Sequence, residues 1–381
     1  MNSAGTIRLI DTQGELDRII ETMARAPRVA VDTEAASFHR YRDRVYLLQL
    51  STHDLTAVVD PLAVTDLSAF GALLAEPSIE VVFHDADYDL RLLAQEYGYR
   101  ATRLFDTRVA AQLLNEPGVG LAALLETYLG VRLDKRFQRA DWSARPLSAG
   151  MLEYAAADTH HLLELRDILH GKLEQMGRLH WAEEEFALLE QVQWAEPEDG
   201  AEPAWLRMKG AKALKPRQLA VLREVFEWRD GLARRLDRAS FRIMNNEPIL
   251  TIAREQPGTA EELGRIPGIG RDALERRGGE ILAAVRRGLD VPEADLPRVE
   301  RQPRRAADAE FDARVERLKV VRNQEAERLQ LAPGVLCPNG TLEGIARKEP
   351  KTSVELRTIS FIRRWQVEAI GDVLLAALRT P

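Results

Sequence analysis

One cysteine, Cys337, stands in a chain of 381 residues, so no internal disulfide can form, and no Cys/His cluster is present to build a structural zinc site. No apolar run approaches the ~20 residues needed to cross a bilayer. The opening MNSAGTIRLIDTQGEL lacks the basic-then-apolar segment that directs export. A Gly-rich P-loop is also missing, which argues against a helicase motor. These absences leave a cytoplasmic protein with no membrane partner as the expectation.

In bulk the chain is ordinary, with 45% hydrophobic and 30% charged residues, and its length predicts two or three domains. Its net charge of −7 is unevenly spread. Residues 1–204 carry 19 Lys/Arg against 34 Asp/Glu, residues 205–289 carry 18 against 11, and residues 308–379 carry 12 against 11. The acidic first part needs cations, and the basic middle part is suited to a polyanion.

Short apolar runs predict strands at Arg28–Asp32, Tyr46–Leu50, Leu55–Val59 and Ile79–Phe83, with helices near Leu67–Leu74 and through Asp89–Leu93. Helices dominate from Thr107 onward. Such alternation indicates a sheet covered by helices over residues 1–194. Two Pro-rich or acidic stretches, 195–204 and 290–307, read as linkers. They bracket a basic module at 205–289 and a nearly neutral one at 308–381. The two modules are copies: IAREQPGTAEELGRI from Ile252 and IARKEPKTSVELRTI from Ile345 align at a spacing of 93 residues.

Three acidic elements carry the chemistry. Asp32 and Glu34 lie two apart at the end of an apolar strand, a spacing that points both side chains to one face. Two carboxylates placed together repel unless a cation compensates, so a divalent-metal cradle is one explanation and a solvated strand end the other. In VVFHDADYDL a buried strand runs into a helix. Asp85 there is positioned to cap the helix, and the residues alone do not choose a ligand among Asp85, Asp87 and Asp89. Tyr154 and Asp158 are four apart on one helix face, separated by small alanines.

Taken in order, these elements resemble the exonuclease motifs of the DEDD superfamily in its tyrosine-bearing branch: Asp32-Thr33-Glu34, then His84-x-Ala86-x-x-Asp89-Leu90, then Tyr154-x-x-x-Asp158. The phrases Leu121–Leu124, Tyr128–Gly130, Leu133–Lys135, Asp141-Trp142, Ala144–Leu147 and Tyr154–Asp158 resemble the ribonuclease D domain. The repeated modules resemble HRDC domains, and the resemblance covers essentially the whole chain. One departure is Ala35-Ala36-Ser37-Phe38 after the first motif, where relatives often place Phe directly after the acid.

The resemblance implies an α/β ribonuclease H-like exonuclease domain, a mixed sheet flanked by helices, followed by two small all-α HRDC domains. It implies a 3′→5′ exoribonuclease that releases nucleoside 5′-monophosphates by a two-metal mechanism. Asp32, Glu34, Asp89 and Asp158 would hold two Mg²⁺ or Mn²⁺ ions, with Asp32 bridging both, and Tyr154 would orient the attacking water. The expected partner is RNA with a free 3′ end, in particular tRNA precursors, bound by a monomer. Oxygen-only donors agree with hard cations rather than zinc.

Expected RNA contacts are Lys135, Arg136 and Arg139 in the acidic domain, and Arg234, Arg235, Arg238, Arg276, Arg277, Arg286 and Arg287 in the first helical module. Ile266-Pro267-Gly268-Ile269-Gly270 offers backbone N–H groups at a helix start, or is simply a turn. Asp106 reads as a helix cap, Gln49 as support for the first acidic strand, and Trp142 as packing or base stacking. His160 and His161 receive no role. A DNA exonuclease and a non-catalytic RNA-binding scaffold are the rival readings. Motifs do not reveal recognition of the 2′-hydroxyl, while the intact acidic set with Tyr154 speaks against the scaffold.

Overall fold

The computed structural model describes residues 8–194, 202–299 and 308–379. Its first part holds the strands β1 (Arg8–Ile10), β2 (Arg28–Glu34), β3 (Leu47–Ser51), β4 (Thr56–Val59), β5 (Glu80–Phe83) and β6 (Leu104–Asp106). Between and after them come α1 (Gln13–Met23), α2 (Ser68–Leu74), α3 (Asp87–Tyr97), α4 (Thr107–Leu113), α5 (Leu121–Leu129), α6 (Ala149–His160), α7 (Leu162–Gln175) and α8 (Leu179–Leu189). The six strands form one sheet in the order β1-β4-β3-β2-β5-β6. It is mixed: β2–β3 and β3–β4 are antiparallel, while β1–β4, β2–β5 and β5–β6 are parallel. This is the expected helix-flanked mixed sheet. The four predicted strands are present, and β1 and β6, three residues each, complete both edges.

The acidic strand is central because its first half is apolar. Val29, Ala30 and Val31 are fully buried, with β3 on one side and β5 on the other. β3 and β4 are buried along their whole length, as expected of strands covered on both faces.

The remaining helices are α9 (Pro216–Leu236), α10 (Ser240–Ile243), α11 (Asn246–Glu255), α12 (Ala260–Gly264) and α13 (Arg271–Asp290), then α14 (Ala309–Arg328), α15 (Pro333–Leu336), α16 (Asn339–Lys348), α17 (Ser353–Leu356) and α18 (Arg364–Arg379). The repeat at 93 residues extends into structural detail. Buried Arg229 donates to the Met244 carbonyl and to Asn246 Oδ1, and buried Arg322 to the Cys337 carbonyl and Asn339 Oδ1. Thr259 and Thr352 cap α12 and α17 through their hydroxyls. Gln256 and Glu349 end α11 and α16 in left-handed conformations, and Gly268 (φ +89°) has Phe361 (φ +68°) as its counterpart.

The described residues of 1–35, 45–194 and 305–381 form one compact unit, and those of 36–44 and 195–304 the other. The second helical copy therefore groups with the sheet. In that unit Glu184 of α8 accepts from the Arg364 and Trp365 backbone N–H groups at the start of α18, at 2.7 and 2.9 Å. Glu185 accepts from Trp365 Nε1 and Arg363 Nε, and Trp181 stacks on Trp365 with ring centroids 4.8 Å apart. In the other unit Tyr41 donates to Asp230 at 2.9 Å, and Phe38 meets Phe241 edge-on. Leu296 is buried, and Val299 packs against the cluster of α9, α11 and α13. Residues 195–201 and 300–307 of the stretches read as linkers lie outside the described residues.

α9 and α13 approach closely because α13 carries Gly288, where an added Cβ would lie 2.5 Å from the Val221 Cα. Gly279, on the same helix, has open space around it. Gly288→Ala should lower stability by about 1–3 kcal/mol through overpacking, and Gly279→Ala should raise it by about 1 kcal/mol through helix propensity. Urea titration of both variants checks this; effects of the same sign would contradict the packing described.

Candidate metal-dependent nuclease site

The acidic residues meet where β2, α3 and α6 converge. Asp32 and Glu34 alternate with Thr33 along β2, which places their side chains on one face of the strand. α6 supplies Asp158 and is started by Ser148, whose hydroxyl accepts from the Met151 N–H. Near its other end a buried hydroxyl chain pins α6 to the sheet. Ser51 Oγ lies 3.0 Å from Thr56 Oγ1 and 2.8 Å from Thr159 Oγ1, and Thr56 Oγ1 lies 3.0 Å from His160 Nδ1. Asp158 precedes Thr159, so this chain fixes its height above β2.

Among the described residues, Asp32, Glu34 and Asp158 each offer one carboxylate oxygen to a group in which these three atoms all lie within 4.8 Å of one another. Burial, then the charge of Asp158, pushes the Asp32 carboxyl up to about 8. Burial lifts Asp158 to about 7, and burial followed by repulsion from Asp32, Asp158 and Asp89 lifts Glu34. Asp89 sits outside that tight group. It is 6% exposed and accepts a hydrogen bond from the Thr33 hydroxyl. Burial and the charge of Asp32 still raise its pKa, so it is an electrostatic neighbour of the cluster.

Tyr154 is half-buried one helical turn before Asp158, edge-on to Phe137 at 6.0 Å and tilted against Trp142 at 5.9 Å. Trp142 is 1% exposed, which makes it packing for Tyr154 rather than a surface for a base. Burial, followed by the carboxylates of Asp158, Glu34 and Asp32, raises the Tyr154 pKa well above the ordinary phenol value. The side chain stays protonated and can donate one hydrogen bond while accepting another. Two hollows of about 300 and 420 Å³ both include Tyr154 and Asp158 in their walls. Arg136, His160 and His161 line the first, and Asp32, His84 and Lys135 the second. His84 lies 2.9 Å from Thr107 Oγ1, and burial brings its pKa down to about 4, so it is neutral near pH 7.

Of the two aspartates read as helix caps, Asp106 does cap a helix, at the start of α4, and Asp85 is placed differently. Asp85 does not cap α3; it has a left-handed backbone (φ +68°) and pairs with Arg108 at 2.5 Å. Asp106 does that work from β6. Its carboxylate accepts from Ala86 and Asp85 at the start of α3 and from Arg108 and Val109 at the start of α4. Arg145 is the other organiser. It donates to both oxygens of buried Asp60, at 2.6 and 2.8 Å, and to the carbonyls of Tyr46, Trp142 and Ala144. Burial alone would raise the Asp60 pKa, but Arg145 holds it below the usual carboxylate value. The segment carrying Trp142 is thereby clamped to the sheet. Gln49 is buried directly across from Asp32, with neither amide atom hydrogen-bonded among the described residues.

The expected RNA contacts fall into two groups. Lys135 and Arg136 line the hollows, although Arg136 is paired with Asp134, and Arg139 is exposed. In the first helical module Arg276 pairs with Asp272, Arg277 with Glu280 and Arg287 with Glu224, so these cations are partly neutralised by nearby acids. Arg235, Arg238 and Arg286 are exposed, and Arg234 lies over the Tyr41 ring within reach of Asp230. Gly268 makes a left-handed turn against Pro248 before α13 begins.

Comparison with known proteins identifies the family. A family described as 3′–5′ exonuclease matches residues 7–174, and the HRDC domain matches residues 218–285 and 311–378. Ribonuclease D of Gluconacetobacter diazotrophicus is 34% identical over 371 residues, covering 97% of this chain and 92% of that protein. Ribonuclease D of Escherichia coli is 34% identical over 293 residues, 76% of this chain and 77% of that protein. The crystal structure of Escherichia coli RNase D aligns over 100% of this chain and 99% of its own, with a TM-score of 0.72 and 28% identity. The catalytic core of RRP6 from Trypanosoma brucei aligns with a TM-score of 0.67 and 30% identity, over 76% of this chain and 81% of that one. With this architecture and nearly full-length similarity, the chain belongs to the ribonuclease D family and is a hydrolytic 3′→5′ exoribonuclease.

Proposed function

We propose that the carboxylate cluster hydrolyses the terminal phosphodiester of RNA with two divalent ions, Mg²⁺ or Mn²⁺, held by Asp32, Glu34, Asp158 and Asp89. The observation that carries this is the close approach of three carboxylates, two of them pushed to about 7 and 8, with no Lys or Arg among the causes of those shifts. A set of hard oxygen donors that repel one another fits hard cations. When bound, a pair of ions supplies an activated water and neutralises charge on the phosphate and the leaving 3′-oxygen.

The residues of the chain do the rest. Asp32, on the central strand, lies close to both Glu34 and Asp158 and would share with each of them in holding the ions. Asp89 completes the set from the first turn of α3, beside Asp32. Tyr154, kept protonated, orients the attacking water rather than removing its proton. Lys135 and Arg136 at the hollows, with Arg139 nearby in the chain, contact the RNA backbone. In the first helical module we assign capture of the substrate to Arg234, Arg235 and Arg238, with Arg276 and Arg277 contributing through the faces their acidic partners leave open. The Escherichia coli relative is described as an exoribonuclease involved in structured RNA processing. We extend this to 3′ maturation of tRNA precursors by a cytoplasmic monomer that releases nucleoside 5′-monophosphates. No described helix is long and apolar enough to cross a membrane. The corresponding domains are the nuclease at 1–194 and HRDC copies at 205–289 and 308–381.

Asp32→Asn and Asp158→Asn should each lower the rate on end-labelled RNA by about 10²–10³-fold or more, with RNA affinity largely kept. Near wild-type hydrolysis by either variant contradicts the assignment. DNA of the same sequence, and EDTA in place of metal, complete the assay; preference for the DNA strand would favour the rival exonuclease reading. Tyr154→Phe should reduce kcat by about 10²-fold with little change in KM. A full loss of binding instead would make Tyr154 structural.

The raised carboxyl pKa values also predict a stability effect. An unfolded chain ionises Asp near 3.8, whereas the folded metal-free chain ionises Asp158 near 7 and Asp32 near 8. Between these values the folded state holds the extra protons, so this contribution is complete below the unfolded pKa and is lost as pH rises toward 8. Thermal melts in EDTA should therefore show a lower Tm at pH 8 than at pH 6, with Mn²⁺ restoring it. The fall should be smaller in Asp158→Asn; an equal fall in the variant excludes the cluster as its source.

A further inference from the structure

One side chain outside the carboxylate site is presented to solvent at a conformational penalty. Phe361, in the turn between α17 and α18, is 80% exposed and has a left-handed backbone at φ +68°. Its counterpart 93 residues earlier is Gly268, at φ +89°. Glycine adopts this conformation freely, whereas a bulky residue there is a genuine outlier. Folding gains nothing from the exchange, because the ring is left in water.

The surroundings select a ligand. From Leu356 to Val367 the chain carries Arg357, Arg363 and Arg364 and no acid. The nearby acids of α8 are both occupied, Glu184 by backbone N–H groups of α18 and Glu185 by Arg363 and Trp365. Arg363 also donates to the Phe361 carbonyl at 3.4 Å, while Arg357 and Arg364 are exposed. A hollow of about 280 Å³ lies beside the ring, walled by Val109, Gln112, Val335, Trp365 and Gln366 among others. Its walls combine apolar side chains and amides with Arg363 and with Glu185, whose carboxylate is already engaged by Arg363 and Trp365, and leave room for a flat heterocycle.

The position is also suitable. The hollow belongs to the same compact unit as the carboxylates. α4 links the two places: Thr107 at its start touches His84 in the wall of the Asp32 hollow, and Gln112 and Leu113 at its end line the Phe361 hollow. At 1.5 Å per residue these ends are about 9 Å apart.

An exposed aromatic face flanked by cations is the means by which single-stranded nucleic acid is held without sequence preference. We propose that Phe361 is a stacking platform for an unpaired base of the RNA strand whose 3′ end enters the carboxylate site, with Arg357 and Arg364 taking flanking phosphates. This assignment rests on the RNA-hydrolase reading and gives the nearly neutral second HRDC copy a direct part in binding.

The test uses full-length wild type, Phe361→Ala, Phe361→Gly and Phe361→Tyr. Affinity for a 5′-fluorescein-labelled single-stranded RNA is measured in EDTA, so that the strand is not consumed, and cleavage of a dinucleotide is measured with Mn²⁺. Loss of one stacked base predicts affinity about five- to 150-fold weaker for the Ala and Gly variants. Tyr should bind like wild type, and dinucleotide cleavage should be unchanged in all. Phe361→Gly should melt higher than wild type while binding RNA more weakly, a combination that damage to the fold cannot produce. Wild-type affinity in Phe361→Ala overturns the proposal. So does a wild-type dimer that Phe361→Ala splits without changing RNA affinity, since the ring would then be a contact between copies. Failure of the wild type to cleave the dinucleotide, and the labelled RNA when Mn²⁺ replaces EDTA, would instead sink the nuclease reading, leaving the two failures distinguishable.

Discussion

Like charges crowded at the end of a buried strand repel one another, and much of the surrounding structure holds them in place. Asp32 and Glu34 share a face because a strand alternates, and Asp158 is lowered toward them by a helix pinned to the sheet. The raised carboxyl pKa values express first the water lost on burial and then, for Asp32 and Glu34, the repulsion from neighbouring carboxylates. A cation completes that arrangement, so the interaction that least favours the bare fold is the one on which the chemistry depends. Tyr154 is held in the same way, since burial first and then the charges around it keep its proton in place.

The supports are economical in residues. Asp106 accepts from four backbone N–H groups and so starts two helices at once, the one that carries Asp89 and the one that leads away from the site. Arg145 uses its guanidinium on one carboxylate and three carbonyls, tying a long segment to the sheet beside Tyr154. Neither residue need touch substrate for its loss to displace one that does.

How much of this was legible in the sequence depends on how far apart the partners are. The central strand announced itself through an apolar run ending in Asp32-Thr33-Glu34, and the helical copies through their shared phrases. β1 and β6 escaped because three residues carry too little periodicity. The capping of α3 was misassigned to Asp85 because a local rule looks to the neighbouring acid, whereas the true partner lies about twenty residues onward in another strand. Asp60 and Arg145 are 85 residues apart, and no spacing rule pairs them. Counting charges over a whole module likewise concealed the run of three arginines around Phe361.

The two helical copies began from one plan and now live under different constraints. In the second copy, α18 receives its first hydrogen-bond acceptors from Glu184, and Trp365 lies against Trp181. Those partners belong to the nuclease part, so this module is no longer a self-contained bead on a string. A chain shortened before Ala309 would uncover the indole of Trp181 and leave two glutamates without their donors. Gene rearrangements that shed the terminal module must therefore re-dress α8 as well, whereas shedding the first copy would instead strip Phe38 and Tyr41 of their partners.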